Sequence, residues 1–206
     1  MPSLTQVNSD THAESLLQRL LEQAAGAPLP DWPLAAQAMR RQAVERGGTV
    51  FHHDTTHPYL YAVRQGLVKL CYLNENGDEW IKSFAHEGRF FASVAALTPG
   101  GRTSFTAVAL EPTQLERLDY RCLADLASRH LAWSRAAHQM TLIFAARKEQ
   151  RERELLTLGP EARYRAFCAE HPALAQRVAQ KDLARHLGLT PVGLNRIAAR
   201  VRKQAD

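Results

Sequence analysis

The sequence predicts an α+β chain: an antiparallel, jelly-roll-like β-roll towards the N-terminus, one long dimerisation helix, and a C-terminal helix-turn-helix domain. Three observations predict it. Short β-rich runs separated by turn residues fill residues 45–120. From Arg121 to Leu158 neither Gly nor Pro interrupts the chain. Between Val178 and Lys203 two short helical patterns flank a single turn glycine, Gly188.

Four segments follow: a helical lead-in (1–44), the roll (45–120), the long helix (121–158) and the helix-turn-helix unit (159–206). In the lead-in, Leu16, Leu17, Leu20 and Leu21 form a helical stripe that APLPDWP breaks. A second short helix, LAAQAMRRQAV, is expected after Pro33. The roll is read from TVFH, YLYAVRQG, LVKLCYL, EWIKSFA, TSFTAVAL and TQLERLD, with turns at Gly47-Gly48, Gln65-Gly66, Asn76-Gly77-Asp78, Pro99-Gly100-Gly101 and Glu111-Pro112. Leu67–Leu73, NENGD and Glu79–Phe84 predict a hairpin. The long helix has Leu123, Leu126, Leu131, Met140, Ile143, Phe144 and Leu155 on its apolar side, with a break expected near Ser128–His130. That is too much apolar surface for a solitary helix, so it predicts a partner helix and a homodimer. Gly159-Pro160 ends it.

Composition narrows the function classes. The chain has 206 residues, 45% hydrophobic and 23% charged, as a globular protein does. No apolar run approaches the length of a membrane span, and the first twenty residues lack the pattern of a secretory signal, so a cytoplasmic location is expected. Cys71, Cys122 and Cys168 are far apart and read as reduced thiols. From Arg147 onward there are 13 Lys+Arg against 7 Asp+Glu, and before it 13 against 14, so the net charge of +5 comes from the C-terminal end. A polyanion held by that end is the implied partner.

The helix-turn-helix reading starts at Gln180. Leu183 and Ala184 lie mid-helix, Leu187 closes the apolar stripe and Gly188 reverses the chain with a positive φ. Leu189 plugs the space between the helices, while Leu194 and Ile197 anchor the second one. Ala184 is small because that helix crosses close above it. Thr190 caps the second helix and Pro191 starts it. Its outward residues are Thr190, Val192, Gly193, Asn195, Arg196, Ala199 and Arg200, and such a helix enters the major groove of double-stranded DNA. Arg196 offers a guanidinium fork to guanine, and Asn195 pairs with adenine or phosphate. Arg200, Arg202 and Lys203 continue a basic stripe for the phosphate backbone.

Taken whole, residues 35–203 resemble the Crp/Fnr family of bacterial transcription regulators. The stretches that carry the likeness are TVFHHDTTHPYLYAVRQGLVKLCYLNENGDEWIKSFAHEGRFF, SVAALTPGGRTSFTAVALEPTQLERLD and LTLGPEARYRAFCAEHPALAQRVAQKDLARHLGLTPVGLNRI. The last resembles a subgroup pattern ERY…HP…L..RV.Q..LA..LG.TP…L.RI, except that Ala162 stands before Arg163-Tyr164. The resemblance implies a cyclic-nucleotide-binding-like sensor roll, a homodimer, a near-palindromic operator and RNA polymerase as a partner. It also implies a regulator and not an enzyme.

Two departures matter. Cyclic-AMP-binding members carry a Gly-Glu pair for ribose and phosphate, then Arg-Ser at the phosphate. The second pair corresponds to Arg102-Thr103 after Gly100-Gly101, a cation with backbone donors suited to phosphate. The first falls at Ala92-Ser93, without the carboxylate, so cyclic AMP binding in the usual way is not expected. The possible effector pocket is thus Ser93, Gly101, Arg102 and Thr103. Many relatives also carry Glu where Val192 stands; Val192 accepts no hydrogen bond but can touch a thymine methyl, so no operator sequence carries over. Gly193 costs the helix about 1 kcal/mol relative to Ala. The first cysteine is Cys71, so no iron–sulfur cluster of the oxygen-sensing relatives is expected.

Two rivals stand beside this reading. His52, His53 and His57 on a roll suggest a cupin-like metalloenzyme. Against it, His52 and His53 adjoin in an expected strand and point to opposite faces, and no downstream Glu and His complete a ligand set. No metal is therefore expected. A ligand-free dimer that binds DNA constitutively is the other rival, and sequence does not separate it from a ligand-switched one.

Overall fold

A computed structural model describes residues 15–204; the first fourteen residues of the expected lead-in and the last two of the chain lie outside the described residues. Two helices come first, α1 (Leu16–Ala25) and α2 (Trp32–Ala38). Eight strands follow: β1 (Met39–Val44), β2 (Thr49–Phe51), β3 (Tyr59–Gln65), β4 (Leu67–Leu73), β5 (Glu79–His86), β6 (Phe90–Phe91), β7 (Thr106–Ala109) and β8 (Thr113–Asp119). Then come α3 (Tyr120–Arg129), α4 (Leu131–Thr157), α5 (Pro160–Glu170), α6 (Pro172–Arg177), α7 (Gln180–Leu187) and α8 (Pro191–Lys203).

The strands form two antiparallel four-stranded sheets, ordered β1-β8-β3-β6 and β2-β7-β4-β5. Alternation puts Val63, Val68, Leu70, Ala107 and Leu115 between them. At one end of that core Phe51, Tyr61, Phe91 and Phe105 pack ring against ring, with centroids 5.1–6.4 Å apart. β4 and β5 form the expected hairpin, whose turn Asn74 closes by accepting from the Asp78 N–H at 2.8 Å. The fold class is the one the sequence predicts: antiparallel roll, long helix, helix-turn-helix.

Three details differ from expectation. Only the first part of LAAQAMRRQAV is helical; Met39–Val44 is β1, paired along its length with β8. Ala, Met and Arg favour helix locally, but β8 needs a neighbour on that side, and tertiary pairing overrides weak propensity. The roll therefore begins several residues before 45. β2 stops at Phe51, so His52 and His53 lie beyond the strand and the opposite-faces argument does not apply to them. Of TSFTAVAL, only Thr106–Ala109 is strand.

The long helical region is two helices. At His130 the backbone is extended (φ −133°, ψ 124°), and the ring Nε2 lies 2.9 Å from Asp31 Oδ2. The lead-in packs onto this joint: Trp133, fully buried, stacks on Trp32 at 5.9 Å and donates to the Pro30 carbonyl at 2.7 Å. α1 lies along α4 through Leu16, Leu17 and Leu21. Its N-terminus is fastened by the fully buried Glu116, which accepts from Ser15 Oγ (2.9 Å) and Leu17 N–H (2.8 Å) and pairs with Arg64. On α4, Trp133, Ala136, Met140 and Phe144 form a stripe against the protomer's own core, and Arg147 and Arg151 continue it at the same spacing.

Candidate nucleic-acid interface

α7, the turn and α8 are built by short-range physics. Gly188 takes φ 67°, ψ 37°, a left-handed conformation that ends α7, and Leu189 N–H bonds back to the Ala184 carbonyl at 2.9 Å. Leu183, Ala184, Leu187 and Leu194 are buried together, and Leu189 packs against them. Ala184 is fully buried, as a close helix crossing requires. Ile197 is only half-buried, and Ala198 is the buried residue of that turn. Thr190 caps α8 by accepting from Gly193 N–H at 3.1 Å. A Cβ on residue 193 would lie 3.1 Å from that hydroxyl oxygen, which explains a glycine in a first helical turn.

The opposite face of α8 is open. Val192 is 62% exposed, and Asn195, Arg196 and Arg200 are exposed beside it. Asn195, Arg196 and Lys203 make no hydrogen bond or ion pair among the described residues, whereas Arg200 Nη1 lies 3.3 Å from Glu161 Oε2. Gln180 is exposed at the start of α7. Val192, Asn195, Arg196 and Arg200 thus share one exposed face of α8, on which Asn195 and Arg196 keep free donors.

Sequence reading missed the way this unit is held. α7 docks on the outer face of the β4–β5 hairpin. His186 is buried between Phe84 and Phe167, ring centroids 5.2 and 5.4 Å away. Its Nδ1 lies 3.2 Å from the Ile81 carbonyl, which can only accept, so that nitrogen carries the proton. Burial, reinforced by the Arg151 charge, pushes the His186 pKa down to about 3, so the ring is neutral. Arg151 of α4 donates to the His186 carbonyl. Beside it Glu79 binds Lys69 and Arg185, each at 2.6 Å, and buried Asp182 lies 3.9 Å from both cations. Arg177 grips Glu87 at 2.8 Å and Glu111 at 2.7 Å, which draws the Glu87 carboxyl down to about 2. The ion pairs that tie this unit to the roll join residues 66 to 113 positions apart in the chain, so no local spacing announces them.

The effector residues named from sequence lie in one loop, with their polar atoms already engaged. Buried Ser93 accepts from Ser104 N–H at 3.0 Å. Thr103 Oγ1 donates to the His52 carbonyl (2.6 Å) and accepts from Thr55 N–H (2.9 Å). Arg102 is held by Asp54 at 2.5 Å, and that cation holds the Asp54 carboxyl below its usual range. At Gly101 a Cβ would sit 1.9 Å from the Ala95 carbonyl oxygen, so close packing alone demands glycine. His57 is stacked on Tyr61 with Nε2 2.8 Å from its hydroxyl. Among the described residues no three His, Cys, Asp or Glu side chains are grouped to hold a metal ion.

Comparison with known proteins agrees with this architecture. Residues 41–130 match the cyclic nucleotide-binding domain family. The fumarate and nitrate reduction regulatory protein of Escherichia coli K12 is 25% identical over 178 residues, 80% of this chain and 69% of that protein. Its counterpart from Vibrio cholerae is 26% identical over 177 residues, with the same coverage. FixK2 from Bradyrhizobium japonicum superposes with a TM-score of 0.73 at 20% identity, over 81% of this chain and 86% of its own. The Thermus thermophilus catabolite activator protein does so with 0.55 at 24%, over 90% and 88%. With a roll that matches the cyclic nucleotide-binding domain family, a long connecting helix and a capped helix-turn-helix in that order, the chain is similar throughout to regulators of the Crp/Fnr type.

Proposed function

We propose that this chain is a DNA-binding transcription regulator that acts as a homodimer. One observation carries the reading: α8 seals Leu194 and Ala198 into a core while its opposite face presents Asn195 and Arg196 with no internal partner. A helix fixed on one side, with unengaged donors on the other, suits the major groove. Gln180, Thr190, Val192, Gly193, Asn195 and Arg196 then face the bases, with Arg200 and Lys203 on phosphates. Thr190 offers its hydroxyl oxygen to its own helix first, which favours backbone contacts for that residue.

The dimer forms along α4, whose outward Leu142 (47% exposed) and Leu156 (78%) have no covering element in the protomer. Two copies place their recognition helices about 34 Å apart on a near-palindromic site. No described helix is long and apolar enough to cross a membrane, and the proposed site of action is the cytoplasm, with RNA polymerase as the partner of the bound dimer. No catalytic role is proposed. The roll is a candidate sensor that does not take cyclic AMP in the usual way, since Arg102 is committed to Asp54 and no carboxylate stands at Ala92-Ser93.

Selection of bound sequences from random DNA, followed by competition binding, tests the reading. Arg196→Ala should weaken binding to the selected site by about 1–3 kcal/mol and relax its sequence preference. Equal loss on selected and random DNA would make Arg196 a backbone contact; a wild-type chain that enriches no sequence would remove the proposal.

A further inference from the structure

The joint between α4 and the reading unit is short and sparsely fastened. α4 ends at Thr157 and α5 begins at Pro160; Leu158 (φ −97°, ψ 134°) and Gly159 (φ −66°, ψ 163°) between them are extended. Two such residues make a hinge, because rotation at either one re-aims everything after it. Among the described residues, the apolar core of the reading unit takes Leu67, Phe84 and Leu110 from the roll but nothing from α4. Its direction on α4 therefore rests on side chains that reach across the hinge.

Two do so from one face of α4. Arg151 Nη2 donates to the His186 carbonyl, and among the described residues this is the one hydrogen bond between α4 and the reading unit. That carbonyl is among the last four of α7, which the helix cannot satisfy itself, and a cation there also meets the negative end of the helix. The Arg151 side chain is only 20% exposed and pairs loosely with Glu154, 3.9 Å away. Leu155, one turn further on, lies against the turn of the motif: a Cβ on residue 188 would meet its Cδ2 at 3.6 Å and Arg163 Nη1 of α5 at 3.2 Å. His186 is gripped twice, its ring by the Ile81 carbonyl of β5 and its own carbonyl by Arg151. Arg151 stands seven residues before Leu158, about 10 Å up the helix axis from the hinge. A fastening at that distance from a pivot restrains an angle, which one at the pivot would not.

We infer that Arg151 is a positioning residue for DNA recognition: it fixes the angle of the helix-turn-helix unit on α4, and so selects the spacing between the two half-sites that the dimer accepts. This rests on the reading of the chain as a DNA-binding dimer paired along α4. In such a dimer the separation and phase of the two α8 helices follow from the angle each unit makes with the element that carries the dimer axis. One added base pair moves a half-site by about 3.4 Å along the duplex and turns it by about 35° around the axis. A fastened unit cannot follow that displacement, and a swinging one can. Arg151 is no part of the interior in which Leu194 and Ala198 seat α8, so the bases read within a half-site do not depend on it.

Selection from random DNA with the full chain defines the half-site, and duplexes carrying two half-sites at spacings up to two base pairs shorter or longer then test the inference. The parent should favour one spacing over its neighbours by about tenfold or more. Arg151→Met should bring those neighbours to within about threefold while binding a single half-site as the parent does. Arg151→Lys keeps a donor for the carbonyl and should restore most of the preference. Leu155→Ala should loosen the spacing in the same direction, and decides alone if Arg151→Met fails to fold. A parent indifferent to spacing would overturn the inference. So would an Arg151→Met chain that keeps the parent's preference, or that weakens equally at every spacing and on the single half-site, since Arg151 would then only stabilise the fold. Altered base preference within the half-site would overturn it as well, by making Arg151 part of the reading unit's own structure. A parent that selects no sequence removes the regulator reading itself, whereas a fixed spacing that survives Arg151→Met removes this inference alone.

Discussion

The two sides of β5 hold nearly the same number of cations and treat them in opposite ways. On the outer side Lys69 and Arg185 share Glu79 at 2.6 Å each, with Asp182 at 3.9 Å, and Arg177 nearby takes two carboxylates. On the inner side Lys82 and Arg147 rest on phenylalanine rings with no carboxylate in reach. Paired, partly buried charges fix how two bodies sit on one another, whereas unpaired ones do not. The outer side reads as a charged joint, and the inner side does not.

That contrast can be broken from the outside inward. Glu79→Ala leaves Lys69 and Arg185 to face only a distant Asp182, and removing one partner of a mostly buried pair should cost about 3 kcal/mol. Chemical denaturation measures it, and a cost near zero would mean that the joint is held by Leu67 and Phe84 alone. The next effect is a dependence on pH. His186 has its folded pKa depressed to about 3 against an ordinary value near 6.5, so the unfolded chain binds the extra proton between those limits. Stability is therefore full above pH about 6.5 and falls as pH drops, by up to about 1.4 kcal/mol per pH unit. Unfolding curves between pH about 6.5 and 5, above most carboxylate titration, should be steeper in the parent than in His186→Phe. Parallel curves would show that His186 is already protonated in the folded chain. The smallest change is Arg177→Ala: its side chain is about one-third exposed, and the loss should be under about 1 kcal/mol despite four hydrogen bonds to two carboxylates. A loss several times larger would make Arg177 the main fastening of the reading unit.

What the sequence disclosed divides along the same line. The helix-turn-helix was legible because Ala184, Gly188, Thr190 and Leu194 act over three or four positions, on a left-handed turn and a helix cap. The strands of the roll were legible from alternation and turn residues. Met39–Val44 was misread because its helix-favouring residues become a strand only when β8 lies alongside, a fact that no local window holds. The reading face of α8 emerged from periodicity alone, since everything not facing Leu194 and Ala198 had to face outward. Arg102 was singled out by the resemblance to the Arg-Ser pair of cyclic-AMP-binding relatives, but Gly101 is explained by the Ala95 carbonyl and the arginine by Asp54, 48 positions earlier.

The position of Leu67 has a practical consequence. It is a residue of β4, fully buried, yet the apolar cluster it belongs to is otherwise built from Phe167, Leu174, Val178, Leu183 and their neighbours in the last fifty residues. Phe84 and Leu110 lean on the same group. The C-terminal unit therefore borrows part of its interior from the roll. Grafted onto a different sensor, or expressed alone, it would carry an uncovered oily flank where Leu67 had been. Such chimeras are workable only if the receiving roll offers an apolar residue of similar size at that position.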